Sequence, residues 1–202
     1  MNKTRNYFLL LAFVAVAVSL VSCLDDGEDN TKVTAQQRLE CLKMMKGDYT
    51  GKLIYGVVES NIEGGYIPKT DTIDNQQWTS DTVLITYKKF PVRILATGCA
   101  DESMKEAVAN CADTPDLKVY YGDFINGQIP YVFFLKPEPI SINVTYGGVP
   151  HKLTFKFNEY YCNGTYTTSF MTSQMVVSLF LDGSETPSTV FKEMALFYTN
   201  VI

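Results

Sequence analysis

The amino-acid sequence after residue 48 alternates between apolar and polar side chains with a period of two residues. In the first such segment Tyr49, Leu53 and Val57 alternate with Thr50 and Lys52, which is typical of a β-strand with one buried face. Short segments of this kind recur to the end of the chain, and no long helices separate them. This pattern predicts a mainly β fold, an antiparallel β-sandwich or barrel of about eight or nine strands with two short helices.

Turn signals divide this region into its strands. Asn126-Gly127 and Gly147-Gly148 predict tight turns, and residues 59–75 predict a long loop because they contain Gly64-Gly65 and Pro68. The predicted strands cover residues 49–57, 83–87, 90–96, 117–121, 131–136, 140–146, 151–157, 175–181 and 190–198.

Two short segments have helical signals instead. Thr34 and Gln37 have the spacing of a capping box, and Gly47 is a suitable stop, so residues 34–47 are predicted to form a helix. Asp101 can cap a second helix over residues 101–112, where apolar side chains recur at helical spacing.

The N-terminus has the features of an export signal. Lys3 and Arg5 precede an apolar run over residues 7–21, which is too short to cross a bilayer as a helix and fits a secretory signal peptide. Its end, Leu-Val-Ser-Cys at residues 20–23, resembles the bacterial lipobox. That resemblance implies that Cys23 becomes the first mature residue and carries a diacylglyceryl group and an N-acyl chain such as palmitate, which together anchor a protein to a membrane.

An acidic stretch follows the cysteine directly. Residues 24–30 read Leu-Asp-Asp-Gly-Glu-Asp-Asn, a composition that predicts a solvated tether. The stretch resembles the export signal of Bacteroidetes surface lipoproteins, which implies an outer-membrane location facing the cell exterior. We therefore expect a signal peptide over residues 1–22, a lipid-anchored tether over 23–33 and a single β-rich domain over 34–202.

Composition excludes several classes of function. The formal net charge of −5 argues against a nucleic-acid partner, which needs a basic face. A single histidine, His151, excludes metal sites and mechanisms built on paired histidines, and a turn position is more typical of an exposed histidine than of a catalytic one. No GxSxG, P-loop, GxGxxG or HExxH motif occurs. We expect no cofactor, no metal and no catalytic residue, so the chain is interpreted as non-enzymatic.

Four cysteines remain after lipidation of the fifth. Cys99 and Cys111 are close in sequence and form a candidate disulfide in an oxidising envelope. A straight helix between them would hold their sulfurs too far apart, so buried free thiols are the competing interpretation. Cys41 with Cys162 would be the complementary pair. The absence of a CxxC pair argues against a zinc site.

Tyrosines supply the candidate ligand contacts, because a flat apolar face with a hydroxyl suits sugar rings and protein partners alike. Filling the core and lining the sheet is the alternative role for the same side chains. The candidates at strand ends or in loops are Tyr120, Tyr121, Tyr160, Tyr161 and Tyr166.

A glycoside hydrolase needs only two carboxylates brought close in space. The sequence nominates no particular pair, and solvation is the simpler interpretation of the loop and strand-end acids. Those acids are Asp71, Asp74, Glu138 and Glu159.

The plan of the chain resembles uncharacterised lipoproteins of about 200 residues from Bacteroidetes. The resemblance is carried by the Gly-x-Tyr-x-Gly-x-Leu segment at residues 47–53 and by Phe-Pro-Val at residues 90–92, and it implies no known activity. Residues 47–49 also resemble the entry to a lipocalin barrel. The predicted role is a non-catalytic binding or accessory module for a glycan or peptide. The alternatives are a structural subunit of an envelope assembly, with a protein partner, and the carboxylate-dependent glycoside hydrolase.

Overall fold

The computed structural model describes residues 33–59 and 69–200. The predicted signal peptide, Cys23 and the acidic stretch lie outside these residues. Within them, the protein has two α-helices and ten β-strands. The helices are α1 (Ala35–Met45) and α2 (Glu102–Ala109), and the strands are β1 (Gly47–Val57), β2 (Asp71–Ser80), β3 (Leu84–Tyr87), β4 (Leu117–Phe124), β5 (Tyr131–Pro137), β6 (Ile140–Tyr146), β7 (Val149–Phe157), β8 (Asn163–Tyr166), β9 (Met171–Leu181) and β10 (Met194–Thr199).

Eight of these strands form a closed antiparallel barrel. Their order is β1-β2-β3-β4-β5-β8-β9-β10, and the barrel closes because β10 pairs with both β9 and β1. The hairpin of β6 and β7 extends the sheet from the distal half of β9, where Phe155 lies opposite Leu179. The mainly β prediction is confirmed, and of the two predicted architectures the barrel is the one that forms.

The barrel interior is filled with aromatic side chains. Tyr87 and Tyr198 stack with ring centroids 3.9 Å apart, and Trp78 meets Tyr198 edge-on at 6.0 Å. The Tyr87 hydroxyl bonds the Ser173 hydroxyl across the barrel, from β3 to β9. All of these residues are at most 2% exposed, so their burial supplies much of the hydrophobic stabilisation.

Helix α1 packs against the barrel at the end where β5 begins. Its N-terminus is the predicted capping box, in which Thr34 and Gln37 bond each other's backbone N–H groups. The Arg38 guanidinium donates to the carbonyl oxygens of Tyr121, at 3.1 Å, and of Gly122. These charge-assisted bonds attach the helix to β4, because an arginine fork satisfies two carbonyls at once.

The predicted strand over residues 90–96 is wrong. Val92–Gly98 is a 3₁₀ helix that buries five of its seven residues and exposes Arg93 and Thr97. Lys89 has φ 50° and turns the chain sharply after β3, and Pro91 lacks the N–H that a strand pairing needs. A short segment that is mostly apolar fits a buried strand and a buried helical turn equally well.

Several predicted boundaries and one predicted turn also differ from the structure. β2 begins at Asp71, inside the predicted loop over 59–75, and β10 begins at Met194 rather than at residue 190. Asn126-Gly127 lies in a longer connection between β4 and β5. Within it the Asn126 side chain donates to the Pro130 carbonyl at 2.8 Å. This side-chain bond, rather than a two-residue turn, closes the connection.

Candidate functional site

The five candidate tyrosines divide between the outside and the inside of the barrel. Tyr160 is 89% exposed, Tyr161 is 56% exposed and Tyr120 is 37% exposed, whereas Tyr121 is 6% exposed. Tyr166 is half-buried. It lies two residues after Gly164, which faces the interior, so both residues are on the same side of β8. The structure therefore does not bring all five together in one site.

Tyr121 and Tyr166 belong to the packing of the barrel. The hydroxyls of Tyr121 and Ser80 are 2.6 Å apart, and burial raises the pKa of Tyr121 far above its ordinary value. Tyr166 stacks on Tyr131 of the paired strand, with centroids 5.9 Å apart and planes 11° apart. Both side chains have the structural role that was the alternative to ligand binding.

The other three tyrosines and one phenylalanine are exposed on the outside. Phe134 is 41% exposed, and its neighbours Phe133 and Leu135 are fully buried, so it faces outward from β5. It lies opposite Asn163, which follows closely on the 3₁₀ helix Glu159–Tyr161. We call the set of Tyr120, Phe134, Tyr160 and Tyr161 the aromatic surface.

Phe134 was missed by the sequence reasoning. In the segment Tyr131–Pro137 nearly every position is apolar, so the period cannot tell which side chains face outward. Gly122 lies beside it: a Cβ there would come within 3.0 Å of the Phe134 Cβ. The absence of that side chain leaves room beside the phenylalanine on the outer face of the sheet.

Hydrogen bonds hold parts of the aromatic surface in place. The Tyr120 hydroxyl donates to Glu138 Oε1 at 2.9 Å, and this bond to a carboxylate raises the pKa of Tyr120. Asn158 caps the 3₁₀ helix: its side chain accepts from the Tyr160 N–H at 3.2 Å, and its carbonyl accepts from the Tyr161 N–H at 3.0 Å. The backbone of both exposed tyrosines is therefore held by hydrogen bonds to Asn158.

A second polar group surrounds the single histidine. His151 Nδ1 lies 2.7 Å from Asp182 Oδ2, and Tyr146 stacks on the imidazole at 4.0 Å. Asp182 also accepts from the Lys152 N–H at 2.8 Å, and the histidine bond and this amide lower the pKa of its carboxyl. His151, Lys152 and Asp182 line a shallow depression together with Asn143, Pro150 and Gly183.

The described lining of this depression contains no serine, threonine or cysteine. A histidine–aspartate pair can activate a serine, threonine or cysteine nucleophile only when that hydroxyl or thiol is within reach of the imidazole. Here the pair joins the start of β7 to the residue after β9, where Asp182 adopts φ 48°. The bond between His151 and Asp182 therefore connects β7 to the turn that follows β9.

Residues 44–183 match a family described as a domain of unknown function (DUF4840). The chain belongs to the DUF4840 family. The matched residues extend from the end of α1 to the end of β9 and thus include the aromatic surface and the His151–Asp182 pair. No curated protein and no solved structure matches the chain.

The candidate acids of this DUF4840 protein are all exposed, and three of the four have separate side-chain partners. Asp71 accepts from the Tyr55 hydroxyl at 3.2 Å, and Asp74 lies 3.7 Å from the Lys52 ammonium. Glu138 accepts from Tyr120. Glu159 lies in the 3₁₀ helix Glu159–Tyr161. The described residues also contain no group of three or more His, Cys, Asp or Glu side chains arranged to hold a metal ion.

The four cysteines of the DUF4840 protein within the described residues are free thiols. Cys99 follows the 3₁₀ helix and Cys111 follows α2. Helix α2, which is about 12 Å long at 1.5 Å per residue, therefore lies between the two cysteines, which is the arrangement that argued against a disulfide. The bridge between them is not formed in this structure. Burial raises the pKa of the Cys99 thiol and of the Cys162 thiol to about 11, which makes both poor nucleophiles at neutral pH.

Among the described residues, neither helix is long and apolar enough to cross a membrane.

Proposed function

We propose that this DUF4840 protein is a lipoprotein of the Bacteroidetes type, anchored through Cys23 to the outer membrane with its barrel facing the cell exterior. The support is the order of the N-terminal features: two basic residues, an apolar run, Leu-Val-Ser-Cys and an acidic stretch. An apolar run of this length followed by a cysteine fits export and lipidation better than a buried helix.

The anchored barrel acts as a non-catalytic glycan-binding module. The observation that carries this function is the pair of consecutive exposed tyrosines, Tyr160 and Tyr161, on a 3₁₀ helix whose backbone is held by Asn158. Aromatic rings left in water on an ordered backbone are typical of a binding surface. Their flat faces suit the apolar faces of sugar rings, and their hydroxyls can bond sugar hydroxyls.

The polar neighbours of the aromatic surface favour a glycan over an apolar peptide. Glu138, Lys136 and Lys118 are exposed around Tyr120, and Asn163 lies beside Phe134. Carboxylate, ammonium and carboxamide groups offer both donors and acceptors to sugar hydroxyls. A purely apolar peptide would leave these groups unpaired and pay for their desolvation.

Replacing both exposed tyrosines, Tyr160→Ala with Tyr161→Ala, is expected to weaken glycan binding by about 30-fold or more, since an aromatic hot spot contributes about 2 kcal/mol or more. The free energy of unfolding should change by less than about 0.5 kcal/mol, because neither ring is buried. A polysaccharide array followed by calorimetry on the best ligand gives the affinity, and chemical denaturation gives the stability.

The matched control is Val149→Ala, which truncates an exposed apolar side chain (53% exposed) at the opposite end of β7 from the 3₁₀ helix that carries the two tyrosines and should leave the affinity unchanged. Two results would count against glycan binding through this surface. One is an unchanged affinity in the double variant, and the other is the absence of binding to every polysaccharide tested.

Replacing Cys23 with serine is expected to abolish incorporation of labelled palmitate and to release the protein from the membrane fraction, because the acyl chains are its anchor. The matched control is Cys111→Ser, a half-buried cysteine of the folded domain, which should stay labelled and membrane-bound. Labelled Cys23→Ser protein would contradict the lipidation site. Digestion of the wild type only after cell lysis, and not on whole cells, would contradict surface exposure.

A further inference from the structure

Strand β6 leaves one of its two edges unpaired. It pairs with β7 along its whole length, from Ile140 opposite Phe155 to Tyr146 opposite Val149. It stands at the end of the strand order, and within residues 33–59 and 69–200 no backbone group bonds its other edge. In the closed barrel every strand pairs with two neighbouring strands. The β6–β7 hairpin lies outside the barrel, and β6 is the last strand of the sheet.

The hairpin geometry determines which backbone groups face this free edge. Gly147 and Gly148 both have positive φ, at 59° and 78°, as in the two-residue turn of type I′. In such a hairpin the closing pair, here Tyr146 and Val149, exchanges both of its hydrogen bonds. By alternation, the N–H and C=O groups of Ser141, Asn143 and Thr145 therefore point away from β7.

The sequence of β6 carries none of the residue types that usually protect an edge strand, although helix α2 packs against β6. The segment Ile140–Tyr146 reads ISINVTY and contains no charged residue, no proline and no glycine. By contrast β2, which extends beyond its short partner β3, carries Asp71 and Asp74 on that stretch. Natural proteins use charges, prolines and bulges to stop edge pairing, so their absence from β6 indicates an edge that is used.

We propose that β6 pairs antiparallel with β6 of a second copy of this chain, about a two-fold axis at Asn143. Asn143 is the middle residue of the strand, so this register pairs all seven residues. Each of the three outward-facing residues then meets an outward-facing residue: Asn143 meets its own copy, and Ser141 meets Thr145. The two barrels are joined by six backbone hydrogen bonds, two from each such pair.

The side chains of β6 favour a second copy as the occupant. In this register Ile142, which is already buried in the core of its own chain, lies opposite Val144 of the second copy. On the exposed face small polar side chains meet one another, and no like charges oppose. An interface that is complementary to itself is what a two-fold dimer requires.

Cross-linking through the two-fold axis tests both the partner and the register. Asn143→Cys is introduced into full-length, membrane-anchored protein that also carries Cys111→Ser, and intact membranes are oxidised with diamide. In the proposed dimer the two introduced thiols lie on residues whose Cα atoms are about 5.5 Å apart, within the range that a disulfide spans. We expect a non-reducing gel to show a band at twice the monomer mass.

The matched control is Thr145→Cys in the same background, on the same exposed face of the same strand. In this register its two copies are offset by four residues, about 13 Å along the strand, and should give at least ten-fold less dimer. Mixing Ser141→Cys protein with Thr145→Cys protein in one membrane should restore the dimer band.

Three outcomes would overturn the proposal. The first is the absence of a dimer band with Asn143→Cys. The second is equal dimer from Asn143→Cys and Thr145→Cys, which indicates random collision. The third is a cross-link of a different mass, which assigns the edge to another protein. All the introduced cysteines replace exposed side chains, so loss of folding would not mimic these results.

Discussion

Replacing Gly51 with alanine is expected to destabilise the barrel by about 3 kcal/mol or more, at the upper end of the cost of overpacking. A Cβ at this position would lie 2.1 Å from the Thr199 carbonyl oxygen and 2.7 Å from the Asn200 Cα. These are backbone atoms next to the barrel's closing strand pair, so relief of the clash requires β1 and β10 to separate. Such a loss is a large part of a typical domain stability of about 5–15 kcal/mol.

Urea denaturation of the chain lacking residues 1–23 measures this effect, and Gly47→Ala is its matched control. Gly47 belongs to the same strand, but a Cβ there would meet only the Tyr49 ring, at 3.8 Å, which is ordinary contact. The two glycines have similar freedom to lose in the unfolded chain. Equal stabilities for the two variants would show that β10 does not approach β1 at Gly51.

Replacing Phe133 with alanine is expected to cost about 3–5 kcal/mol, the usual range for a buried phenylalanine. Phe133 is fully buried and lies 5.4 Å, centroid to centroid, from both Tyr121 and Phe124. Its ring also fills the space over Gly164: a Cβ there would come within 2.3 Å of the Phe133 Cε2 atom. Gly164→Ala alone should therefore cost about 2–3 kcal/mol through overpacking.

The double variant separates this contact from general damage to the core. Once Phe133→Ala has removed the ring, the added methyl at Gly164 meets no aromatic atom, so its cost should fall by about 2 kcal/mol. Denaturation of the wild type, both single variants and the double variant gives the coupling energy. Strictly additive costs would contradict the packing of Phe133 on Gly164.

The proposed dimer and the proposed glycan surface involve different strands. β6 lies at the far end of the strand order from β4 and β5, and the aromatic surface involves β4, β5 and the 3₁₀ helix before β8. A dimer through β6 therefore leaves the aromatic surface of each copy unpaired. Two weak sites on one assembly bind a repeating polymer more tightly than either site alone.

Local signals in the sequence predicted local structure well. The capping box at Thr34 and the cap at Asp101 begin helices where expected, and Gly147-Gly148 turns β6 into β7. These succeed because the caps and turns depend on residues within a few positions of one another. The Val92–Gly98 helix was missed because most of its residues are apolar and buried, and a short apolar run fits a buried strand and a buried helical turn equally well.

Which tyrosines are exposed could not be predicted from the sequence. Tyr120 and Tyr121 are adjacent, and alternation requires that they face opposite sides of β4. It does not say which side is the interior. That is set by pairing with β3 and β5, which places Tyr121 against Ser80 inside the barrel and Tyr120 outside.

By itself the sequence determined the mainly β class, most of the strands, the helix caps and an N-terminus that resembles a lipoprotein signal, because each of these is written in short-range patterns. Only the tertiary structure decided that the sheet closes into a barrel, that the aromatic surface includes Phe134, and that no strand within residues 33–59 and 69–200 pairs with the outer edge of β6. The physical reason is that closure depends on β10 finding β1, whose paired residues Leu53 and Tyr198 are far apart along the chain. A period of two is the same in a sandwich, a barrel and an edge strand.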